Sequence, residues 1–147
     1  MKKLLLLLFL IPNLGFSNPS KAGSSIAGWF YINEDVFKGD EIYIKADSIK
    51  KNDSFVYAWV MKNYKKPNKY GYLSHKAYYQ ISCELPVKQK MLSLRLFKGT
   101  MGEGESHLMP SKLLEENGWQ YVEPGTLSKF IVDMACAVAY KDASRLK

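Results

Sequence analysis

The chain has 147 residues, with 21 Lys plus Arg against 14 Asp plus Glu and a formal net charge of +7. Its 47% hydrophobic content gives one domain enough apolar material for a real core. A single pair of cysteines does not fit a zinc site, which wants four ligands with close Cys or His spacing.

The N-terminus sets the compartment. Met1-Lys2-Lys3 is a short basic start, Leu4 to Ile11 is an unbroken apolar run, and Pro12 breaks any helix there. Gly15-Phe16-Ser17 then places small residues where a signal peptidase reads. This three-part layout predicts an export signal over residues 1–17, cleaved after Ser17 or, as second choice, after Ala22. The run is too short to span a bilayer, which needs about 20 apolar residues. No cysteine precedes Cys83, so lipid anchoring at the N-terminus is not expected. No later stretch is apolar enough to cross a membrane. The mature chain is expected to be soluble, periplasmic or secreted.

Removing Lys2 and Lys3 takes the formal charge from +7 to +5 over about 130 residues. A modest positive excess outside the cytoplasm points to anionic partners such as sulfated glycans or acidic surfaces. Nucleic acid is not expected there. An oxidising compartment would also preserve a bond between Cys83 and Cys136. That bond would close a loop of more than fifty residues, worth roughly 4 kcal/mol in the chain-entropy model.

Asn18 to Ser25 is rich in small residues, and residues 18–27 read as a flexible leader. A domain follows over 28–140. Ten tyrosines and three tryptophans favour a sheet. The first strand is Gly28 to Ile32 and the second is Glu41 to Lys45, after turn residues and acids. Asp47 or Ser48 is placed to cap a single helical turn, with Ile49 pointing back to the core. Asn52-Asp53-Ser54 is a turn cluster. Phe55 to Met61 is apolar on both faces, so both are expected to be covered. One face carries Phe55, Tyr57, Trp59 and Met61. The other carries Val56, Ala58 and Val60, small enough for a helix to pack close.

Lys62 to Gly71 breaks the strand pattern and reads as a long hairpin loop around Pro67-Asn68. His75 opens the next strand, which ends at Cys83, and reads as solvated. Lys88 to Phe97 is another strand, with Leu92, Leu94 and Leu96 inward and Ser93 and Arg95 outward. Gly99, Gly102 and Gly104 mark a flexible turn. Pro110 to Asn117 reads as a short helix ending at Gly118, and Trp119 to Val122 is the last strand. Thr126 caps a final helix with a stripe of Leu127, Phe130, Ile131, Met134 and Val138. Cys136 lies on the far side of that wheel. Either the helix distorts before it or a second face is covered. Residues 141–147 form a polar tail expected to fray.

No catalytic constellation is visible: His75 and His107 lie in no HExxH, CxxCH or comparable pattern, and no GxSxG elbow is present. An enzyme is therefore not expected. The best binding candidate is the hairpin stretch, with Lys62, Tyr64, Lys65, Lys66, Lys69, Tyr70 and Tyr72. Lysines attract sulfates or phosphates, and tyrosines offer flat contact area to sugars or proteins. A solvated loop with tyrosines covering the sheet edge is the plainer reading of the same residues.

Trp29, the Tyr43-Ile44 strand running into Asp47-Ser48-Ile49, the Val56 to Trp59 strand, Cys83, the Trp119 strand, Pro124-Gly125-Thr126 and Cys136 occur in an order that resembles the surface-adhesin protein E family of bacterial envelope proteins. The resemblance covers about residues 28 to 138. It implies an α+β fold: one antiparallel sheet of about six strands, with a C-terminal helix packed on it and tied by the Cys83–Cys136 disulfide. It further implies an exported, non-enzymatic binding module for a host matrix or serum protein, such as vitronectin or laminin, or for an anionic glycan. Some members bind haem and some dimerise. Haem enters by resemblance only; from the residues, His107 with Met101 or Met109 is the conceivable ligand set. The alternative is an envelope-resident structural or inhibitory protein that never meets a host.

Overall fold

The computed structural model describes residues 25–145. The expected signal segment, most of the leader and the last two residues of the tail lie outside them. Nine strands form one antiparallel sheet: β1 (Ser25–Ile26), β2 (Trp29–Glu34), β3 (Glu41–Lys45), β4 (Lys50–Asn52), β5 (Phe55–Asn63), β6 (Ser74–Ser82), β7 (Lys88–Phe97), β8 (Ser106–Leu108) and β9 (Gln120–Tyr121). The order is β1-β2-β3-β5-β6-β7-β8, with β4 also paired to β5 and β9 to β7. A short helix, α1 (Ser111–Glu115), precedes β9, and α2 (Leu127–Arg145) closes the chain.

The six strands read from the sequence are all present. The three additions, β1, β4 and β8, are two or three residues each, too short to show alternation. β1 corrects the expectation of a flexible leader through residue 27. Ala27 and Gly28 both take positive φ, 51° and 79°. That two-residue turn matches the twist of a hairpin and folds Ser25–Ile26 back onto β2. At the other end, α2 runs on to Arg145, past Lys141 where the polar tail was expected to fray.

The core lies between α2 and one face of the sheet. Val56, Ala58 and Val60 of β5 meet Val132, Ala135 and Ala139 of α2, joined by Ile42, Ile44 and Ile81. Ala58, Val132 and Ala135 are fully buried. Small side chains on both elements let the helix axis approach the sheet closely, which raises packing density along the whole contact. Ile49 packs on this core as expected. Thr126 caps α2: its Oγ1 accepts from the Lys129 amide at 3.2 Å.

The helix does not present the stripe that its larger residues suggested. The buried line is Val132, Ala135 and Ala139, at spacings of three and four, with the part-buried Cys136 beside it, and Phe130 is half exposed. On an ideal wheel this is a rotation of about a third of a turn from the expected stripe. Leu127, Ile131 and Met134 flank the contact instead of centring it. The rotation turns Cys136 towards Cys83, and the two are bonded with Cα atoms 6.0 Å apart. The helix therefore needs no distortion; its second face is the covered one.

The opposite face of β5 is only partly covered. Met61 is fully buried against Trp29 and Tyr43, whereas Phe55, Tyr57 and Trp59 stay part-exposed. The expectation that both faces would be closed fails because α2 is the one long helix among the described residues and it lies on one side.

The disulfide closes a loop of 53 residues that contains β7, β8, β9 and α1. In a Cys83→Ala/Cys136→Ala variant, chemical unfolding should show a loss of about 4 kcal/mol. A loss below about 1 kcal/mol would mean that helix packing alone fixes α2.

Candidate functional site

The β5–β6 hairpin holds the predicted site residues in a closed, hydrogen-bonded loop. The Asn68 side chain accepts from the Tyr70 and Tyr72 amides, each at 3.0 Å, and the Tyr64 amide donates to the Leu73 carbonyl at 2.8 Å. Gly71, at φ 78°, closes the turn. Asp40, 6% exposed, anchors the loop from β3's start. Its carboxylate pairs with Lys62 Nζ at 3.1 Å and accepts from the Lys65 amide at 3.1 Å.

This divides the seven candidates. Lys62 is committed to a buried partner, and removing it would strand the Asp40 charge. Tyr64 is committed to His75. Tyr72 lies under Lys98, whose Nζ is 4.2 Å from the ring centre. Lys65, Lys66, Lys69 and Tyr70 remain exposed, with Lys69 Nζ 4.8 Å over the Tyr70 ring. On one side of the loop, a groove of 480 Å³ is lined by Lys38, Lys62, Lys66 and Lys69 together with Phe37 and Tyr64. On the other, a groove of 480 Å³ is lined by Tyr70, Tyr72, Leu94, Leu96, His107 and Met109.

The second groove bears on haem. Met101 cannot join His107 there: it packs with Trp29, Tyr43 and Met61 on the opposite face of the sheet. Its turn is also fixed, not loose, because Asn63 Oδ1 accepts from the Met101 amide at 2.9 Å and the Ser74 hydroxyl bridges Gly99 and Gly102. His107 and Met109 line one apolar groove, and they supply an imidazole and a thioether, donors of the kind that hold haem iron. These residues fit such a group in chemistry and would be the ones to hold it.

His75 is not a solvated strand opener. Burial, with the nearby Lys62 charge, pushes its pKa down to about 4. The neutral ring shares a hydrogen bond between Nδ1 and the Tyr64 hydroxyl at 2.6 Å. Burial raises the Tyr64 pKa, against the Asn68 hydrogen bond that lowers it, which keeps that hydroxyl protonated.

A second surface was not singled out from the sequence. The sheet face away from α2 carries a ladder of rings and cations aligned by register: Trp59 opposite Tyr78, Tyr57 opposite Gln80, and Lys76 opposite Arg95. Trp59 and Tyr78 stack at 4.9 Å and 25°, and Tyr78 continues to Tyr57 at 6.0 Å and 31°. Lys76 crosses over Trp29 and Phe97, at 5.5 and 5.0 Å. Gly102 makes room for it, since a Cβ there would clash with the Lys76 side chain. Burial lowers the Lys76 pKa, Glu103 opposes this, and Lys45 on a neighbouring part of the face adds to the lowering. Ser48 does not cap the 3₁₀ turn at Ala46–Ser48; its hydroxyl accepts from the Trp59 amide at 3.0 Å, fixing that strand. A depression of 490 Å³ crosses the face, lined by Trp29, Lys45, Trp59, Lys76, Ser93, Arg95 and Leu108. The alternation of β5 had shown one edge of this ladder. Its partners needed the β5–β6–β7 register.

Because His75 is neutral when folded and titrates near its ordinary 6.5 when unfolded, its contribution is present above pH 6.5 and is lost as pH falls from there to about 4. His75→Gln keeps an acceptor for Tyr64 and does not titrate. Wild-type protein should lose about 2–3 kcal/mol more than this variant between pH 7 and pH 4 in denaturant melts. Parallel pH profiles would rule out a buried neutral His75.

Among the described residues, no group of three or more His, Cys, Asp or Glu side chains is placed to hold a metal ion. None of their helices is long and apolar enough to cross a membrane. No curated protein and no solved structure matches the chain. The family model for surface-adhesin protein E does match, over residues 29–137. That span runs from the Trp29 strand to the disulfide-bonded turn of α2 and takes in both candidate surfaces. On that match, the chain belongs to the surface-adhesin protein E family.

Proposed function

We propose that this protein is an exported, non-catalytic binding module that holds a host matrix or serum protein, or an anionic glycan, at the bacterial surface. The observation that carries this reading is the family match over nearly the whole folded domain. The chemistry of the site agrees with it. Both cysteines are consumed in the disulfide, and His75 is half-buried, neutral and held by Tyr64. The export reading rests on the basic, apolar and small-residue layout of residues 1–17.

The contact for a protein partner is the exposed end of the hairpin: Lys65, Lys66, Lys69 and Tyr70. The loop's own hydrogen bonds prepay its ordering, so little conformational entropy is lost on binding. The three lysines give long-range attraction that salt screens over about 8–10 Å. Lys62 is excluded from the contact because Asp40 holds it.

The purified domain should capture a matrix or serum protein saturably from mixed envelope and matrix extracts, more at low salt than at physiological salt. Replacing Lys65, Lys66 and Lys69 by Ala should lower that affinity about tenfold or more at low salt and flatten its salt dependence. Unchanged affinity would remove the hairpin as the contact. Capture of envelope components alone would instead favour a resident envelope protein.

A further inference from the structure

We infer that the sheet face opposite α2 is a second binding site, for a linear sulfated polysaccharide that lies across the strands. The inference rests on the reading above only in placing the protein outside the cell.

The charge on this face is mostly positive. Cross-strand pairing puts Lys50 with Tyr57, Lys76 with Arg95, Lys88 with Ser82 and Lys90 with Gln80, all on the ring-bearing face. Acids offset part of this charge: Lys45 pairs with Asp47 at 3.3 Å, and the Glu103 charge acts on Lys76. Glu34 and Glu41 lie opposite each other at the far end of β2 and β3, and Glu41 accepts from Tyr43 and Asn63. Arg95 is exposed, and its guanidinium donates to the Ser106 hydroxyl at 2.9 Å, which orients it without neutralising it.

The rings add to this field. Trp59 and Tyr78 stand on adjacent strands and stack on each other at 4.9 Å, close to the strand spacing of about 4.8 Å. Rings stacked face to face across strands leave their edges for other contacts. Ring edges carry the positive end of the quadrupole, together with the indole N–H and phenol O–H donors. The surface therefore offers donors and positive charge to oxyanions. Trp59 and Tyr78 each give one ring face to the other, which leaves less free ring face for nucleobases, whose binding to such platforms depends on it.

The shape selects a chain over a small ion. The depression runs from Trp29 on β2 to Leu108 on β8, across six strands, or about 24 Å at the ordinary strand spacing. Its cations are rooted on three strands along that track, Lys45 on β3, Lys76 on β6 and Arg95 on β7, with the Lys76 ammonium reaching back over the Trp29 ring. A polymer with an anion on successive units meets each in turn. Sulfate keeps its charge at every relevant pH and offers three acceptor oxygens to Lys, Arg and ring-edge donors.

The test uses a labelled heparin dodecasaccharide and the mature full-length domain, read by fluorescence anisotropy at physiological salt. Lys45→Ala/Arg95→Ala should lower affinity about tenfold or more, while Lys66→Ala/Lys69→Ala changes it less than about twofold. Both pairs are surface changes, and melting curves confirm folding. In the unmodified protein, heparin titration should shift the indole N–H signals of Trp29 and Trp59 and leave the Lys66 and Tyr70 amides in place. Fully desulfated heparin, which keeps its carboxylates, should bind at least about tenfold more weakly. Equal loss in the hairpin pair, unmoved indole signals, equal binding of desulfated heparin, or equal binding of single-stranded DNA of matched charge would each overturn the inference. Capture of a matrix protein in the previous experiment, with no heparin binding here, would sink this site alone and leave the adhesin reading standing.

Discussion

The structure depends on one contact: the small-residue face of α2 seated on β5 and locked by the Cys83–Cys136 bond. β5 sits inside the sheet, and its pairing with β6 is one of the two most extensive in the fold, with β6–β7. It carries Val56, Ala58 and Val60 to the helix. A larger residue at Ala58 or Ala135 would lift the helix and open voids beside Ile42, Ile81 and Val132, because a close-packed interior has no slack to absorb it. The disulfide adds a constraint of another kind. It acts on the unfolded chain, whose long loop it closes, and so supports a contact whose apolar side chains are individually small.

Placing the only long helix of the described chain on one side decides the character of the other. A sheet needs one buried face to be stable, and the second is free to meet solvent. Here the second face is buried only at its β2–β3 end, where Trp29, Tyr43 and Met61 form a small cluster. Beyond it, Trp59, Tyr78 and Tyr57 cover their own apolar surface by stacking on one another. Lysines cover the rest with their stems, as Lys76 does over Trp29 and Phe97. The face is thereby apolar enough to shelter the sheet and charged enough to remain in water.

The hairpin follows a different rule. Its backbone is tied down by polar groups that cannot then serve a ligand: Asp40 for Lys62 and the Lys65 amide, Asn68 for the Tyr70 and Tyr72 amides, and His75 for Tyr64. Rigid presentation of a few exposed side chains costs the commitment of several buried ones. A tally of lysines and tyrosines in the stretch overstates the number free to bind.

The sequence by itself determined the class of fold, the five longer strands and the short one after Trp119, the two cysteines as a pair and the family. Alternation in Phe55 to Met61 and Lys88 to Phe97 carries the period of a strand. Val56-x-Ala58-x-Val60 announces a face that only a closely packed helix fills. Tertiary structure decided the rest. The rotation of α2 was hidden because large apolar residues such as Phe130 and Met134 dominate a helical wheel, while contact with a flat sheet selects small ones, and the bond to Cys83 fixes the angle. β1, β4 and β8 were too short to have a period. Solvated His75 and a loose Met101 turn were wrong because Tyr64, Ser74 and Asn63 reach them from distant positions in the chain. The ladder of Trp59, Tyr78, Lys76 and Arg95 was invisible for the same reason: cross-strand register is a relation between strands, and no single strand's pattern contains it.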